Sequence, residues 1–186
     1  GIVSRGYGAK IERPTLVTAA SRAQDIGDEP LLLAQRSGCP VVVCPDRVAA
    51  AQFLLANTAS DIIISDDGLQ HYALARDVEI VLIDGKRGLG NGQLLPAGPL
   101  RERPWRLQQA DLVLANTQAH NLADGIMRLG VETARPLVGQ ATLSHSPVTL
   151  VAGIGNPQRF VDTATQAGFI ITATRFFADH HKFTPE

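Results

Sequence analysis

Asp61-Ile62-Ile63-Ile64-Ser65-Asp66-Asp67-Gly68-Leu69-Gln70-His71-Tyr72 is a short apolar run that stops abruptly at two adjacent carboxylates. β-branched residues from Ile62 to Ser65 predict a strand covered on both faces, as in a parallel α/β sheet. Ligands of such sheets bind beyond the carboxyl ends of the strands, where Asp66 and Asp67 fall. Two neighbouring carboxylates repel and call for a cation, a hydrogen-bond donor or bulk water. A Mg²⁺ carried by a nucleotide would satisfy them with hard oxygen ligands. A solvated Asp-Gly turn after a strand satisfies them equally well.

Outward from this stretch, strand-like and helix-like segments alternate. Residues 1–4 read as a strand tail and Pro14 to Thr18 as a strand, with a loop from Ala20 to Gly27. A helix opens at Asp28-Glu29-Pro30 and stops at Gly38, its first-turn acids complementing the helix dipole. Pro40 to Cys44 is a strand, and Asp46 caps a helix from Arg47 to Ala56. Val78 to Ile83 is a further buried strand. Asp111 to Asn116 is another, Leu122 to Leu129 a short helix, and Pro136 to Leu143 extended. Ser144 to Pro147 reads as a linker. Val148 to Ala152 is a strand, followed by a helix to Gly168 and an alternating segment from Phe169 to Phe177. This rhythm predicts an α/β fold, a mostly parallel sheet with helices on both faces, plus part of a smaller second α/β domain. The expected boundaries are 1–143, a linker at 144–147, and 148–186.

Residues 85–104 break the rhythm with five glycines or prolines between Gly85 and Pro96 alone, and a loop of that length is functional or disordered. Arg101, Glu102, Arg103, Trp105 and Arg106 give it the character of a mobile, solvated lid edge.

The 186 residues are 45% hydrophobic and 19% charged with a net charge of −1, a globular profile with no electrostatic pull towards nucleic acid. No run is long enough for a membrane span. Cys39 and Cys44 flank a strand-like segment at an odd separation, which places them on opposite faces as two unpaired, buried thiols.

Gly153-Ile154-Gly155 follows a strand, but Gln158 holds the third glycine position of a dinucleotide fingerprint. No G-x-x-x-x-G-K-[ST] run and no G-x-S-x-G elbow occurs. His71, His180 and His181 with Asp66, Asp67 and Asp179 leave metal-dependent hydrolysis open.

Taken as an ordered set, Ser4-Arg5-Gly6-Tyr7-Gly8, Gly27-Asp28-Glu29-Pro30, Asp46-Arg47, Asp66-Asp67-Gly68-Leu69-Gln70-His71, Arg76-Asp77, Gly88-Leu89-Gly90-Asn91-Gly92, Leu94 to Glu102, Ala152 to Pro157 and Asp179-His180-His181 resemble the tetraacyldisaccharide 4'-kinase family of lipid A biosynthesis. The resemblance runs over essentially the whole chain, with Leu69 where the family often carries Phe. It implies a P-loop-kinase-like fold. It also implies transfer of the γ-phosphoryl group of ATP, with Mg²⁺, to the 4'-hydroxyl of a lipid A disaccharide 1-phosphate at the cytoplasmic face of a bacterial inner membrane.

Residue by residue, the resemblance implies Asp28 as catalytic base, tuned by His180. Asp67 would be a metal-holding acid, with Asp66 and Glu29 beside it. Ser4, Arg5 and Tyr7 would contact the disaccharide or its phosphate, and Gln70 and His71 would steady the site. Arg47, Arg101 and Glu102 would serve the nucleotide phosphates or the lid. Family members carry a membrane-anchoring helix and a phosphate loop ahead of the Ser-Arg-Gly-Tyr motif. The chain is thus expected to be an internal fragment, inactive alone. The rival expectations are a non-catalytic nucleotide- or phosphosugar-binding module and the metal-dependent hydrolase.

Overall fold

The computed structural model describes the chain except residues 129, 131–133, 137–138, 140–146, 180 and 182–186. In chain order the elements are β1 (Ile2–Ser4), β2 (Thr15–Leu16), α1 (Ala23–Ile26), α2 (Asp28–Ser37), β3 (Val41–Val43), α3 (Arg47–Asn57), β4 (Ile64–Ser65), β5 (Ile80–Asp84), a 3₁₀ turn (Pro104–Gln109), β6 (Leu112–Asn116), β7 (Gly125–Met127), β8 (Pro147–Ala152), α4 (Pro157–Gln166) and β9 (Ile170–Phe176). They form two compact units, Gly1–Ile126 and Met127–Glu186. Most of the expected linker at 144–147, and most of the extended segment expected from Pro136, fall outside the described residues.

The first unit holds two sheets. One has the order β2-β3-β1-β4, with β1 parallel to both β3 and β4 and β2 antiparallel at the edge. Val3, Val42, Cys44, Ala50, Ala51 and Leu54 form its core, with Leu16, Phe53, Ile63 and Leu74 against them. α3 packs there because its alanines allow a close approach to the sheet, while Asp46 caps it by accepting a hydrogen bond from Ala49 N at 3.0 Å. α2 ends where expected, at Gly38 in the left-handed conformation. The other sheet has the order β5-β6-β7, β5 running parallel to β6. Its core is Ile83, Val113 and Ala115. In the second unit β8 and β9 are parallel, and α4 joins them as the crossover.

Several elements differ from the expectation drawn from sequence. The single expected sheet is divided, because the turns of residues 66–77 separate a two-residue β4 from β5. The strands at 62–65 and 78–83 are not covered on both faces: Ile62, Ile64, Ile80 and Leu82 are all more than half exposed. The expected loop before Gly27 contains α1, held by an Arg22–Asp25 ion pair at 2.7 Å. The expected helix at 122–129 contains β7. Asp124 draws that segment to β6, its N–H donating to Val113 O at 2.8 Å and its carboxylate accepting from Val113 N at 2.8 Å. Both cysteines are free, as expected, but only Cys44 is buried.

Candidate active site

The carboxyl ends of β3, β1 and β4 lie side by side and carry Cys44-Pro45, Ser4-Arg5 and Asp66-Asp67 respectively. A cleft of about 710 Å³ opens over them. Ser4, Arg5, Tyr7, Glu29, Pro45, Arg47, Asp66, Asp67, Gln70, His71 and Arg101 line it.

Each side of the cleft has a local cause. Asp66 N donates to Val3 O at 2.9 Å, which ends the ladder between β4 and β1. The buried Ser4 hydroxyl donates to Asp66 Oδ2 at 3.0 Å. Asp67 then takes a left-handed conformation, φ 44°, which Asp tolerates better than most residues. This turns its carboxylate outward, where it is 69% exposed. At the start of α2, Gly27, φ 92°, leads into the helix. A Cβ there would lie 3.1 Å from Tyr7 O and 3.3 Å from Pro30 Cδ, so only glycine lets the start of α2 approach the Tyr7 turn. Asp28 is exposed at the head of that helix, its Oδ1 accepting from Glu29 N at 3.0 Å. Asp28 itself does not line the cleft, whereas Glu29 does.

The segment after residue 85 is strapped across the acidic turn. Arg101 Nη1 donates to both carboxylate oxygens of Asp67 at 3.1 Å and to Gln70 Oε1 at 3.2 Å. Gln70 Nε2 donates to Glu102 Oε1 at 2.7 Å, and the Tyr72 hydroxyl donates to Glu102 Oε2. Behind them Arg106 donates to both oxygens of Glu79 at 2.6 and 2.7 Å, and Arg76 pairs with Glu79 at 2.9 Å. Burial pushes the Glu102 carboxyl up, but hydrogen bonds from Tyr72 and Gln70 and the charges of Arg106 and Arg76 outweigh it and leave it below the ordinary range. The same hydrogen bond to Glu102 raises Tyr72. The mobile lid edge expected here is therefore anchored. Arg106 is 8% exposed, while Arg101 and Trp105 do face solvent.

Of the residues the sequence singles out, ten line the cleft: Ser4, Arg5, Tyr7, Glu29, Arg47, Asp66, Asp67, Gln70, His71 and Arg101. Glu102 stands behind Gln70, and His180 lies outside the described residues. The anchoring group of Tyr72, Glu79 and Arg106 was not read from sequence. Its signals were the i,i+3 spacing of Arg76 and Glu79 and the i,i+4 spacing of Glu102 and Arg106, both weak by themselves.

A hard divalent cation fits this donor set. Asp66 and Asp67 offer carboxylate oxygens on an open rim, and Mg²⁺ is commonly held by one or two carboxylates with water and substrate phosphates completing its shell. Among the described residues no three His, Cys, Asp or Glu side chains gather as a metal cage. His71 Nε2 is sheltered at the cleft wall and has no hydrogen-bond partner among the described residues.

Known proteins match the whole chain. A family model described as "Tetraacyldisaccharide-1-P 4'-kinase" matches residues 1–186. A tetraacyldisaccharide 4'-kinase of Shewanella sp. (strain MR-7) is 49% identical over 100% of this chain and 56% of its own length. That of Idiomarina loihiensis is 45% identical, with 100% and 58% covered. The crystal structure of LpxK from Aquifex aeolicus in complex with ATP superposes with a TM-score of 0.78 at 27% identity, covering 100% of this chain and 64% of that one. The chain spans a little over half the length of the relatives it matches, at 56–58% for these two. By the match over its entire length, the chain belongs to the tetraacyldisaccharide-1-P 4'-kinase family.

Proposed function

We propose that the protein carrying this chain transfers the γ-phosphoryl group of ATP to the 4'-hydroxyl of a tetraacyldisaccharide 1-phosphate, a step of lipid A biosynthesis. The observation that carries this reading is the family match over residues 1–186, coupled to a cleft in which acidic and basic groups meet at strand ends. The likeness to an ATP-bound LpxK supports ATP as the donor.

Phosphoryl transfer asks a protein for positioning and charge stabilisation more than for covalent chemistry. Asp67 would hold Mg²⁺, which when bound neutralises phosphate charge, with Asp66 and Glu29 as second candidates for the ion or its waters. Asp28 is the base that accepts the proton of the attacking hydroxyl, with His180 orienting it. Arg5 contributes a planar fork suited to phosphate oxygens. Ser4 and Tyr7 lie beside it towards the sugar, and Gln70 and His71 hold the acidic turn. Arg101 and Glu102 belong to a strap whose arginine leaves Asp67 for a nucleotide phosphate. The acceptor is a lipid, so the reaction takes place at the cytoplasmic face of the inner membrane. Among the described residues no helix is long and apolar enough to cross a membrane. Residues 1–186 hold no G-x-x-x-x-G-K-[ST] run and are expected to be inactive alone.

The test is to incubate full-length protein with γ-labelled ATP and the tetraacyldisaccharide 1-phosphate, then separate lipid from water-soluble products. Label on the lipid, with the new phosphate at the 4' position by ³¹P NMR, is the expected result. Bound ATP with unlabelled lipid would favour a binding module, and lipid breakdown without ATP would favour a hydrolase.

A further inference from the structure

We propose that Arg47 is a positioning residue. Its guanidinium clamps the peptide between Asp66 and Asp67 and so fixes the direction of the Asp67 carboxylate. This rests on the kinase reading above, but the clamp is read from the chain's own geometry.

Arg47 opens α3 and is 3% exposed. An arginine is rarely so buried unless paired with an acid, yet its hydrogen bonds go to main-chain carbonyls. Nη1 donates to Cys44 O at 3.2 Å and Nη2 to Asp66 O at 3.1 Å, while Nε finds no partner among the described residues. The charge also sits at the positive end of a helix dipole, where a cation is disfavoured. Burial lowers the guanidinium's pKa, and the charges of Asp66 and Asp67 oppose that effect. Burial, dipole and an unmet donor all count against this side chain, and what opposes them is its pair of hydrogen bonds to strand-end carbonyls and the nearby acidic charge.

What it accomplishes is specific. Cys44 follows β3 and Asp66 follows β4, two strands that share no hydrogen bonds because β1 runs between them. The two arms of the fork tie these strand ends together across the end of β1. Asp66 is thereby held at three points: its N–H by Val3 O, its carboxylate by Ser4 and its carbonyl by Arg47. The next residue is the left-handed Asp67. Holding a residue in that conformation requires its surroundings to over-determine it, and the carbonyl that precedes it is the one Arg47 grips. A lysine carries a single compact ammonium in place of the planar guanidinium and does not reproduce the fork.

The test uses the full-length protein and the variants Arg47→Met and Arg47→Lys. Wild type is assayed alongside, so that failure of the kinase reading is seen separately. Small misplacements of catalytic groups cost about 100-fold in rate, and a loss of that order in kcat is expected for both variants. The KM for ATP should move less than about threefold, as for a group that does not bind the ground state. Independently of activity, amide hydrogen exchange at residues 66–69 should quicken about tenfold or more, with α3 unchanged, as local opening demands. Unchanged exchange at 66–69 overturns the clamp. So does a loss confined to the KM for ATP that lysine restores, which would make Arg47 a phosphate ligand. If Arg47→Met does not fold, Arg47→Lys and Arg47→Gln are read by the same two measurements. Failure of all three to fold overturns the assignment in favour of a purely architectural arginine.

Discussion

Asp28 and Asp67 are both exposed carboxylates, and their surroundings differ. Asp67 is 69% exposed and already touches a cation, Arg101. Asp28 heads α2, its Oδ1 accepting from Glu29 N at 3.0 Å, and is the base in the proposed reaction. Removing it in Asp28→Ala should cut kcat by about 100-fold to 10,000-fold, the usual contribution of a positioned base. ATP affinity, followed by titration calorimetry, should stay within about threefold of wild type. Turnover like wild type in that variant would remove Asp28 as the base. At this scale the sequence was most informative where chemistry forces a residue type. The paired Asp66-Asp67 needed an ending strand and a counter-charge, and the structure supplies β4 and Arg101. It was least informative where a residue acts through the main chain. Nothing in Asp46-Arg47 announces that the arginine lies beneath the cleft gripping two carbonyls.

Among the elements, the segment from 85 to 109 is held far more firmly at its end than over the cleft. The Arg101–Asp67 pair is solvated on both sides, 59% and 69% exposed, and such pairs contribute about 0–1 kcal/mol. It can break readily when a ligand competes. The Arg106–Glu79 pair is 9% and 13% exposed, and removing one partner of a buried pair costs about 3–5 kcal/mol. Arg106→Ala should therefore lower the denaturation midpoint clearly, whereas Arg101→Ala should leave it nearly unchanged; equal midpoints would contradict this division. Glu102 gives the strap a pH dependence. Its folded pKa is depressed, so its contribution is present above the unfolded value and is lost as pH falls through the folded one. Tyr72 and Gln70 contacts should persist at neutral pH and weaken only in acid, below the range where an ordinary glutamate titrates. Tyr72 fluorescence followed through an acid titration would report this. Loss of the contacts near neutrality would show that Glu102 is not held as described. A glycine- and proline-rich stretch followed by charges reads as a loose lid because its partners, Glu79 and Tyr72, are distant in sequence or unremarkable in type.

Across the molecule, helix ends and most strand positions followed from local chemistry: Gly38 stops α2, Asp46 starts α3, and apolar runs mark β3, β6 and β8. The pairing of those strands did not. Division of the first unit into two sheets depends on long-range hydrogen bonds, and Gly125–Met127 becomes β7 only because Asp124 meets Val113. The family resemblance supplied what the residues left open, since each motif alone also fits a turn or a cap. The structure adds the reason for their order. Strands β3, β1 and β4 end side by side, and the motifs that follow β1 and β4 enter one cleft with the start of α2.

That cleft as the seat of phosphoryl transfer is the central claim. It is tested most directly by label transfer from γ-labelled ATP to the lipid acceptor in full-length Asp67→Asn beside wild type, over a Mg²⁺ titration. Asparagine keeps the shape of the side chain and removes its charge. The expected transfer rate is lower by about 100-fold or more at saturating ATP, with a higher Mg²⁺ concentration needed for half-maximal rate. Transfer at the wild-type rate across the whole titration would contradict it.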